Sequence, residues 1–250
     1  MRRVLLSISI LVLSLSPVFS QNEALFNEAG KLYKADSFSQ AQILYDSLLS
    51  QGFESAPLYY NLGNAYYKQG KLGMAILNYE KALKLDPADG DVKHNLQLAN
   101  QQIAKVESVP EFFLIRIWNN ARDLTSSNTW TIIAIIFSWL CLTAGFFFLF
   151  GKSMGTRRLG FWLGMVSFIL ALFVFSLAGS RKAEEVDDSW AIMTQTNFFV
   201  KSAPGDGSSD LFQIREGVKV QIVDEVDGWY RIKLSDGKDG WITIDQIDRI

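Results

Sequence analysis

The sequence predicts a multidomain membrane protein with three parts: all-α repeated helical hairpins, a two-helix transmembrane hairpin and a small all-β barrel. A pattern of small and aromatic residues recurs at a spacing of 34 near the N-terminus, which is a typical period of stacked helix–turn–helix repeats. Residues 129–150 and 161–180 carry no charge, and each can cross the bilayer core as a helix. Near the C-terminus, apolar and polar residues alternate as they do along β-strands.

Composition argues against several classes of function. The 250 residues carry a net charge of −2, without the basic surplus of a nucleic-acid-binding domain. The single cysteine, Cys141, lies in an apolar stretch, so no intramolecular disulfide and no cysteine-based zinc cluster is expected. The single histidine, His94, has no Cys, Asp or Glu partners at metal-binding spacing, and no nucleophile–base set is visible. We expect no cofactor, no metal and no enzymatic activity.

The first 20 residues predict a secretory signal peptide. Two arginines precede a run rich in Leu, Ile and Val, and the small residues Val18 and Ser20 suit a cleavage site after Ser20. The alternative is an uncleaved N-terminal anchor. Either segment directs the residues that follow it out of the cytoplasm.

The two apolar segments predict a tight antiparallel hairpin in the membrane. The connection, residues 151–160, carries Lys152, Arg157 and Arg158, and positive charge favours the cytoplasmic side. The chain would then be a multi-pass protein of the inner membrane, with its N- and C-terminal modules in the periplasm. Where the connection meets the second segment, the pair Gly160 and Gly164 predicts close helix packing, either against the first segment or in a dimer.

Residues 107–128, just before the first apolar segment, combine a dense apolar half with Arg116, Asn119 and Arg122. This pattern predicts a short helix lying in the membrane interface. A buried strut under the N-terminal module is the alternative.

The best-formed repeat covers residues 56–89. Small residues stand where two helices would cross, aromatic residues fill the space between hairpins, and a proline ends the second helix. These are Tyr59, Leu62, Gly63, Tyr66, Ala75, Tyr79, Ala82 and Pro87. The set resembles the tetratricopeptide (TPR) repeat. Residues 22–55 form a degenerate first repeat, in which Glu28 and Phe53 depart from the pattern, and residues 90–106 predict a capping helix. The TPR domain would therefore span residues 22–106.

The inner face of these helices carries a second regularity. Asn27, Asn61 and Asn95 are spaced by 34, and four further polar or aromatic residues lie on the same face: Tyr60, Asn64, Tyr67 and His94. The TPR resemblance implies that this face is a concave groove for a protein ligand. Asparagine amides can donate to and accept from an extended peptide backbone. The alternative is that the asparagines tie successive repeats together.

The C-terminal module, residues 194–250, follows a linker at 181–193. Val218, Val220 and Ile222 fall on one face of a strand, and Asp-Gly pairs at 227–228 and 236–237 predict tight turns between four or five strands. The order of strands and turns resembles the bacterial SH3 family. Candidate groove residues are Trp229, Tyr230 and Trp241. The alternative places these aromatic side chains in the core or at the rim.

The succession of signal peptide, TPR repeats, two spans and SH3-like barrel resembles the BatE-type family of the Bacteroides aerotolerance (Bat) operon. That resemblance implies an envelope scaffold that works with von Willebrand A-domain membrane proteins and a MoxR-type AAA+ ATPase. The sequence thus predicts a non-enzymatic, membrane-anchored scaffold with two protein-binding modules. Peptidoglycan binding or envelope sensing through the SH3-like domain is the alternative.

Overall fold

The computed structural model describes residues 22–103, 112–195 and 198–250. The predicted signal peptide, residues 1–20, lies outside this range, as do residues 104–106 of the predicted cap and the first residues of the predicted interfacial segment. The described residues form two compact units. One combines the N-terminal helices with the C-terminal strands, and the other contains Lys84–Asp89 and the helices between residues 112 and 187.

The N-terminal part, here the repeat module (residues 22–103), consists of two helical hairpins and a fifth helix. The helices are α1 (22–34), α2 (Phe38–Ser50), α3 (Ala56–Lys68), α4 (Leu72–Leu85) and α5 (Gly90–Gln102). Helix α3 begins where Ser55 Oγ accepts a hydrogen bond from Leu58 N at 3.3 Å. A serine N-cap of this kind satisfies one of the unpaired amides of the first turn.

The crossing of α3 and α4 explains the small residue in the middle of the repeat. A Cβ on Gly63 would stand 2.7 Å from the ring of Tyr79, so only glycine fits this position without displacing the ring. Tyr79 and Tyr45 are fully buried in the module's core, together with Leu48 and Leu62. The spacing of small and aromatic residues therefore fixes how the hairpins interlock.

The C-terminal part, here the β-domain (residues 190–250), is an antiparallel sheet. Its strands are β1 (Trp190–Met193), β2 (Phe198–Lys201), β3 (Asp210–Ile214), β4 (Lys219–Val226), β5 (Trp229–Lys233), β6 (Asp239–Thr243) and β7 (Ile247–Arg249). Their order across the sheet is β3-β2-β6-β5-β4-β1-β7. The sheet starts at Trp190, before the predicted domain boundary at 194, because β1 pairs with both β4 and β7. It has seven described strands instead of four or five.

The first Asp-Gly pair makes the predicted tight turn. Val226 pairs with Trp229, so Asp227 and Gly228 form a two-residue connection between β4 and β5. Both residues have positive φ, 46° and 82°, which is the backbone geometry of a type I′ hairpin turn.

Within the first unit, the β-domain packs against the repeat module through a contact that we call the joint. Gly217, which precedes β4, lies so close to Ile76 and Ile103 that a Cβ there would be 2.9 Å and 3.0 Å from their Cδ1 atoms. Ile192 of β1 is fully buried in the core cluster of the repeat module. Ile192 of the β-domain therefore completes the hydrophobic core of the repeat module at the joint.

Polar contacts surround this apolar centre. Gly73 N donates a hydrogen bond to Glu216 Oε2 at 3.3 Å. Lys219 Nζ forms an ion pair with Glu80 Oε2 at 2.8 Å. Both partners on the repeat side belong to α4, so this helix is held by the β-domain on one flank and by α3 on the other.

The second unit contains α6 (Phe113–Arg122), α7 (Ser127–Phe150) and α8 (Met154–Glu185). Helix α8 begins inside the segment predicted as a loop at 151–160, so the connection between α7 and α8 shrinks to Gly151–Ser153. Ser153 Oγ caps α8 by accepting from Thr156 N at 3.1 Å. At its other end, α8 runs past the predicted boundary at 180 to Glu185.

Helices α7 and α8 are long and apolar enough to cross a membrane. In the most apolar 18-residue stretch of each helix, only 11% (α7) and 17% (α8) is buried within the chain. The core helices of soluble proteins are mostly buried. Where the two helices cross, a Cβ on Gly160 would stand 2.7 Å from Phe148 N and 2.8 Å from Ala144 O. A Cβ on Gly164 would stand 3.6 Å from Ala144 Cβ of the same helix. The glycine pair therefore serves packing within the hairpin.

A charged cluster lies where α8 ends and α7 begins. Arg181 is only 4% exposed and lies 3.4 Å from Glu184 and 3.6 Å from Glu185. Glu185 in turn accepts from Ser127 N at 3.2 Å and Ser127 Oγ at 2.6 Å, at the start of α7. The carboxylate thus satisfies amide and hydroxyl donors near the positive end of the helix dipole.

Candidate protein-interaction sites

The seven predicted residues of the repeat module's inner face differ in exposure. Asn27 and His94 are exposed, while five others are partly buried: Tyr60, Asn61, Asn64, Tyr67 and Asn95. Helix α3 carries four of the seven, so it forms the centre of the predicted groove.

Asn64 is the centre of a hydrogen-bond network that joins three helices. Its Oδ1 accepts from Tyr79 Oη of α4 at 2.7 Å and from Asn95 Nδ2 of α5 at 2.8 Å. Asn95 also donates to Tyr60 Oη at 3.2 Å. Burial raises the pKa of Tyr79, which keeps its hydroxyl protonated as a donor. For Asn64 and Asn95, the network supports the interpretation that asparagines tie the repeat to its capping helix.

The remaining inner-face residues are arranged differently. Tyr67 Oη accepts a hydrogen bond from Gln102 Nε2, which links the end of α3 to the end of α5. Asn27 lies on α1 and Asn61 on α3, at the same register of successive repeats. Ligand contact through Asn27, Asn61 and His94 stays a prediction.

The β-domain carries a groove of about 360 Å³. Its lining combines aromatic, charged and neutral polar side chains: Phe198, Phe199, Lys201, Asp206, Asp210, Trp229, Thr243 and Gln246. Phe199 is half exposed, so the groove presents an apolar face to solvent next to polar groups. This mixture of an aromatic floor and a few polar groups is typical of peptide-binding and small-ligand sites.

Lys201 closes one side of the groove. Its Nζ lies 3.2 Å from Asp210 Oδ1 and 3.4 Å from the carbonyl oxygens of Asp206 and Ser208. These contacts hold the loop between β2 and β3 against β2. Gln246, which also lines the groove, is 8% exposed, and its Oε1 accepts no hydrogen bond from any residue that the structure describes.

The family models that match this chain cover its two interaction modules. A tetratricopeptide repeat model matches residues 56–89, and a bacterial SH3 domain model matches residues 196–243. The chain carries a TPR repeat and a bacterial SH3 domain. Both families are typically non-catalytic interaction modules, and no catalytic family is indicated. No curated protein matches the chain.

Among solved structures, the chain is similar to the C-terminal SH3 domain of myosin IB from Entamoeba histolytica. The two are 18% identical over 26% of this chain and 98% of that domain, with a TM-score of 0.19. A TM-score this low supports no conclusion about function.

The structure corrects the predicted position of one site residue, Tyr230. Tyr230 was expected beside Trp229, but adjacent residues of a strand point to opposite faces. Tyr230 is buried in the core of the domain, and its hydroxyl accepts from Arg249 Nη2 at 3.2 Å. Trp229 lines the groove, and Trp241 lies on the same face of β6 as Thr243. Tyr230 is therefore a core residue.

Seven of the eight groove residues were not predicted, among them Phe199, Lys201 and Gln246. The paired aromatics at 198 and 199 were the available signal, since one of two successive aromatics in a strand must face away from the core. Lys201 and Gln246 gave no such signal, because their position depends on the pairing of β2 with β6 and on the short helix Ile244–Gln246.

The candidate interaction surfaces among the described residues are the inner face of the repeat module and the groove of the β-domain. Among residues 22–103, 112–195 and 198–250, no group of three or more His, Cys, Asp or Glu side chains could hold a metal ion. The TPR and SH3 modules support a role in binding proteins.

Proposed function

We propose that this protein is a non-enzymatic scaffold of the inner membrane, which presents its TPR and SH3 modules to the periplasm as one joined binding unit. The observation that carries the proposal is the joint. Gly217 and Ile192 pack into the repeat module, and Lys219 pairs with Glu80 beside them. Two binding modules held in fixed relation raise each other's effective ligand concentration.

The membrane anchor is supported by α7 and α8, whose apolar surfaces are mostly exposed. The connection between them is Gly151–Ser153, so the chain enters and leaves this hairpin on the same side. The charges of Lys152, Arg157 and Arg158 lie at the connection end, which favours a cytoplasmic position for it.

The partners that fit this role are those implied by the resemblance to the BatE-type family: von Willebrand A-domain membrane proteins and a MoxR-type AAA+ ATPase. A photo-crosslinker in place of Asn61, in the full chain in its native membrane, tests this. We expect crosslinks to a von Willebrand A-domain membrane protein from position 61 and far fewer from Ile43, which is 61% exposed on α2. Equal capture from both positions, or none from 61, would contradict binding at the inner face.

Topology has its own test. A cysteine at Ser208, in a chain that also carries Cys141→Ser, should react with a membrane-impermeant maleimide once the outer membrane is permeable. Ser208 lies in the partly exposed loop beside the SH3 groove. Labelling that starts only after the inner membrane is opened would place the modules in the cytoplasm and contradict the proposal.

A second function, binding of peptidoglycan stems, is favoured by the SH3 groove. Trp229 and Phe199 supply apolar contact area, Lys201 and Asp210 supply both signs of charge, and Gln246 offers an amide oxygen. Purified sacculi should retain the detergent-solubilised chain, and Trp229→Ala should lower that retention about tenfold if the lost contact amounts to the 1–2 kcal/mol of a binding aromatic. Val223→Ala, on an exposed position of β4, is the control. Equal retention of both variants would leave scaffolding as the function of this module.

A further inference from the structure

Helix α6 presents an apolar surface that the chain leaves uncovered. Four of its side chains are more than half exposed: Phe113, Leu114, Ile115 and Ile117. No residue of α6 is buried. The polar residues Arg116 and Asn119 come two positions after Leu114 and Ile117, and residues two apart point to opposite sides of a helix. The helix is therefore amphipathic, with one apolar arc and one polar arc, and Ile115 is an exposed apolar residue on the polar arc.

A tryptophan fixes α6 beside α8. The ring of Trp118 makes an edge contact with the ring of Phe173, with centroids 6.0 Å apart, and its Nε1 donates to Ser180 Oγ at 3.4 Å. Phe173 belongs to the apolar part of α8, whereas Ser180 immediately precedes Arg181 and its ion pairs. Trp118 thus bridges the apolar and polar parts of α8, the position that tryptophan prefers at a membrane–water boundary.

The end of α6 is fixed to α7 as well. Trp130 Nε1 donates to the carbonyl oxygen of Arg122 at 2.9 Å. The Arg122 guanidinium lies 2.8 Å from Asp123 and 2.5 Å from Glu184. Helix α6 is therefore held at the level where α7 begins and α8 ends, and its charged end belongs to the cluster that marks this level.

We propose that α6 lies along the bilayer surface, with Phe113, Leu114 and Ile117 inserted at the boundary between lipid headgroups and acyl chains. The partner of this surface is the lipid bilayer itself. Its apolar arc continues through Trp118 onto Phe173 of α8, so both contact one apolar phase. Arg116 on the other arc points to the aqueous side of the headgroups. Such helices typically insert about 5–10 Å. The inference rests on the proposed membrane span of α7 and α8.

Collision measurements on a nitroxide label test this in the full chain. With Cys141→Ser as background, single labels are placed at Leu114→Cys and, as the matched control on the opposite arc, at Arg116→Cys. A third label at Leu140→Cys, half exposed in the middle of α7, reports the span itself. The protein is reconstituted in vesicles of phosphatidylethanolamine and phosphatidylglycerol. Lipid-soluble oxygen and a water-soluble nickel chelate serve as relaxants.

We expect the ratio of oxygen to nickel collisions at position 114 to exceed that at 116 several-fold and to approach that at 140. Nickel access at 114 equal to that at 116, with 140 still in lipid, would overturn the placement of α6 and leave the membrane anchor intact. Nickel access at 140 would overturn the anchor. Protection of 114 from both relaxants, with spin–spin broadening that disappears on dilution with unlabelled chain, would identify a second copy as the partner and overturn the lipid contact.

Discussion

Lys219 Nζ lies 2.8 Å from the Glu80 carboxylate and 5.4 Å from the centre of the Trp190 ring. The ion pair therefore spans from the first residue of β4 to the middle of α4, across 139 positions of the chain. Its side chains are 41% and 17% exposed, so water screens it only in part.

Reversing one charge of this pair should weaken the joint. Lys219→Glu places two carboxylates together, and we expect a loss of about 1 kcal/mol in the free energy of unfolding of the first unit. Glu80→Lys should do the same, and the double reversal should recover most of the loss. Hydrogen exchange of α4 in the full chain in detergent micelles measures this. If α4 is protected in all three variants as strongly as in the parent chain, the pair contributes nothing to the joint.

Gly217 should be intolerant of any side chain. Gly217→Ala combines a positive φ of 82° with a Cβ that would meet Ile76 and Ile103. Gly228→Ala is the matched control, since its φ is also 82° but nothing lies within 4 Å of the added Cβ. Both variants carry the backbone cost of about 1–2 kcal/mol. Only Gly217→Ala should add an overpacking cost of about 1–3 kcal/mol and increase proteolysis between the two modules. Similar proteolysis of both variants would contradict the close packing at the joint.

Substitution of Asn64 should affect stability, whereas substitution of Asn61 should affect partner binding. Asn64→Ala leaves the Tyr79 hydroxyl and the Asn95 amide without their shared acceptor, and we expect a loss of about 1–3 kcal/mol. Asn61→Ala, one helical turn earlier on α3, should leave stability within about 0.5 kcal/mol and reduce partner crosslinking. Chemical denaturation followed by hydrogen exchange of α5 distinguishes them. An Asn64→Ala protein as stable as the parent chain would show that the network does not support the cap.

The α7–α8 crossing predicts opposite effects for two glycines of one helix. Gly160→Ala directs a methyl group at the backbone of Phe148 and Ala144, so it should lower the thermal unfolding midpoint in micelles. Gly179→Ala has nothing within 4 Å of its added Cβ. It should raise the midpoint or leave it unchanged, because alanine is the better helix former by about 1 kcal/mol. A lowered midpoint for Gly179→Ala alone would contradict the placement of the close helix contact at Gly160.

Alkaline pH should destabilise the repeat module. Burial raises the pKa of Tyr45 to about 12 and that of Tyr59 to about 12, with the Glu54 carboxylate contributing at Tyr59. Above the ordinary tyrosine pKa of 10.0, the unfolded chain loses these protons first, so the folded state loses its advantage as pH rises from 10 towards 12. Hydrogen exchange of α2 and α3 across this range should show the decline. Tyr45→Phe with Tyr59→Phe should flatten it, and an unchanged slope would exclude these two hydroxyls as its cause.

Local patterns in the sequence predicted much of the fold because their causes are local. The 34-residue spacing placed Gly63 against Tyr79, and the Asp227–Gly228 pair formed its hairpin turn. The joint could not be predicted in this way. Gly217 has the sequence context of an ordinary turn glycine, and its neighbours Ile76 and Ile103 look like repeat-core residues. Only the folded chain brings these positions together.

The candidate site residues also differ in whether a local sequence pattern could predict their roles. Trp229 was a groove candidate, with a core or rim position as the alternative. Tyr230 alternates with Ile232 and Leu234 in the sequence, and this apolar alternation was the local signal that Tyr230 faces the core. The role of Asn64 had no such signal, because it depends on the position of Asn95, which comes 31 residues later on the capping helix.

The joint determines when, during synthesis of the chain, helix α4 can complete its packing. Both flanks of α4 must be covered, but the residues that cover one of them, Gly217 and Lys219, leave the ribosome after α7 and α8. The contact between Gly73 and Glu216 spans 143 positions. Domains generally form as units during synthesis, N-terminal parts first. Here α4 stays incompletely supported until the residues around Gly217 have been synthesised. The joint therefore couples the final packing of the TPR repeat to a segment that follows α7 and α8 in the chain.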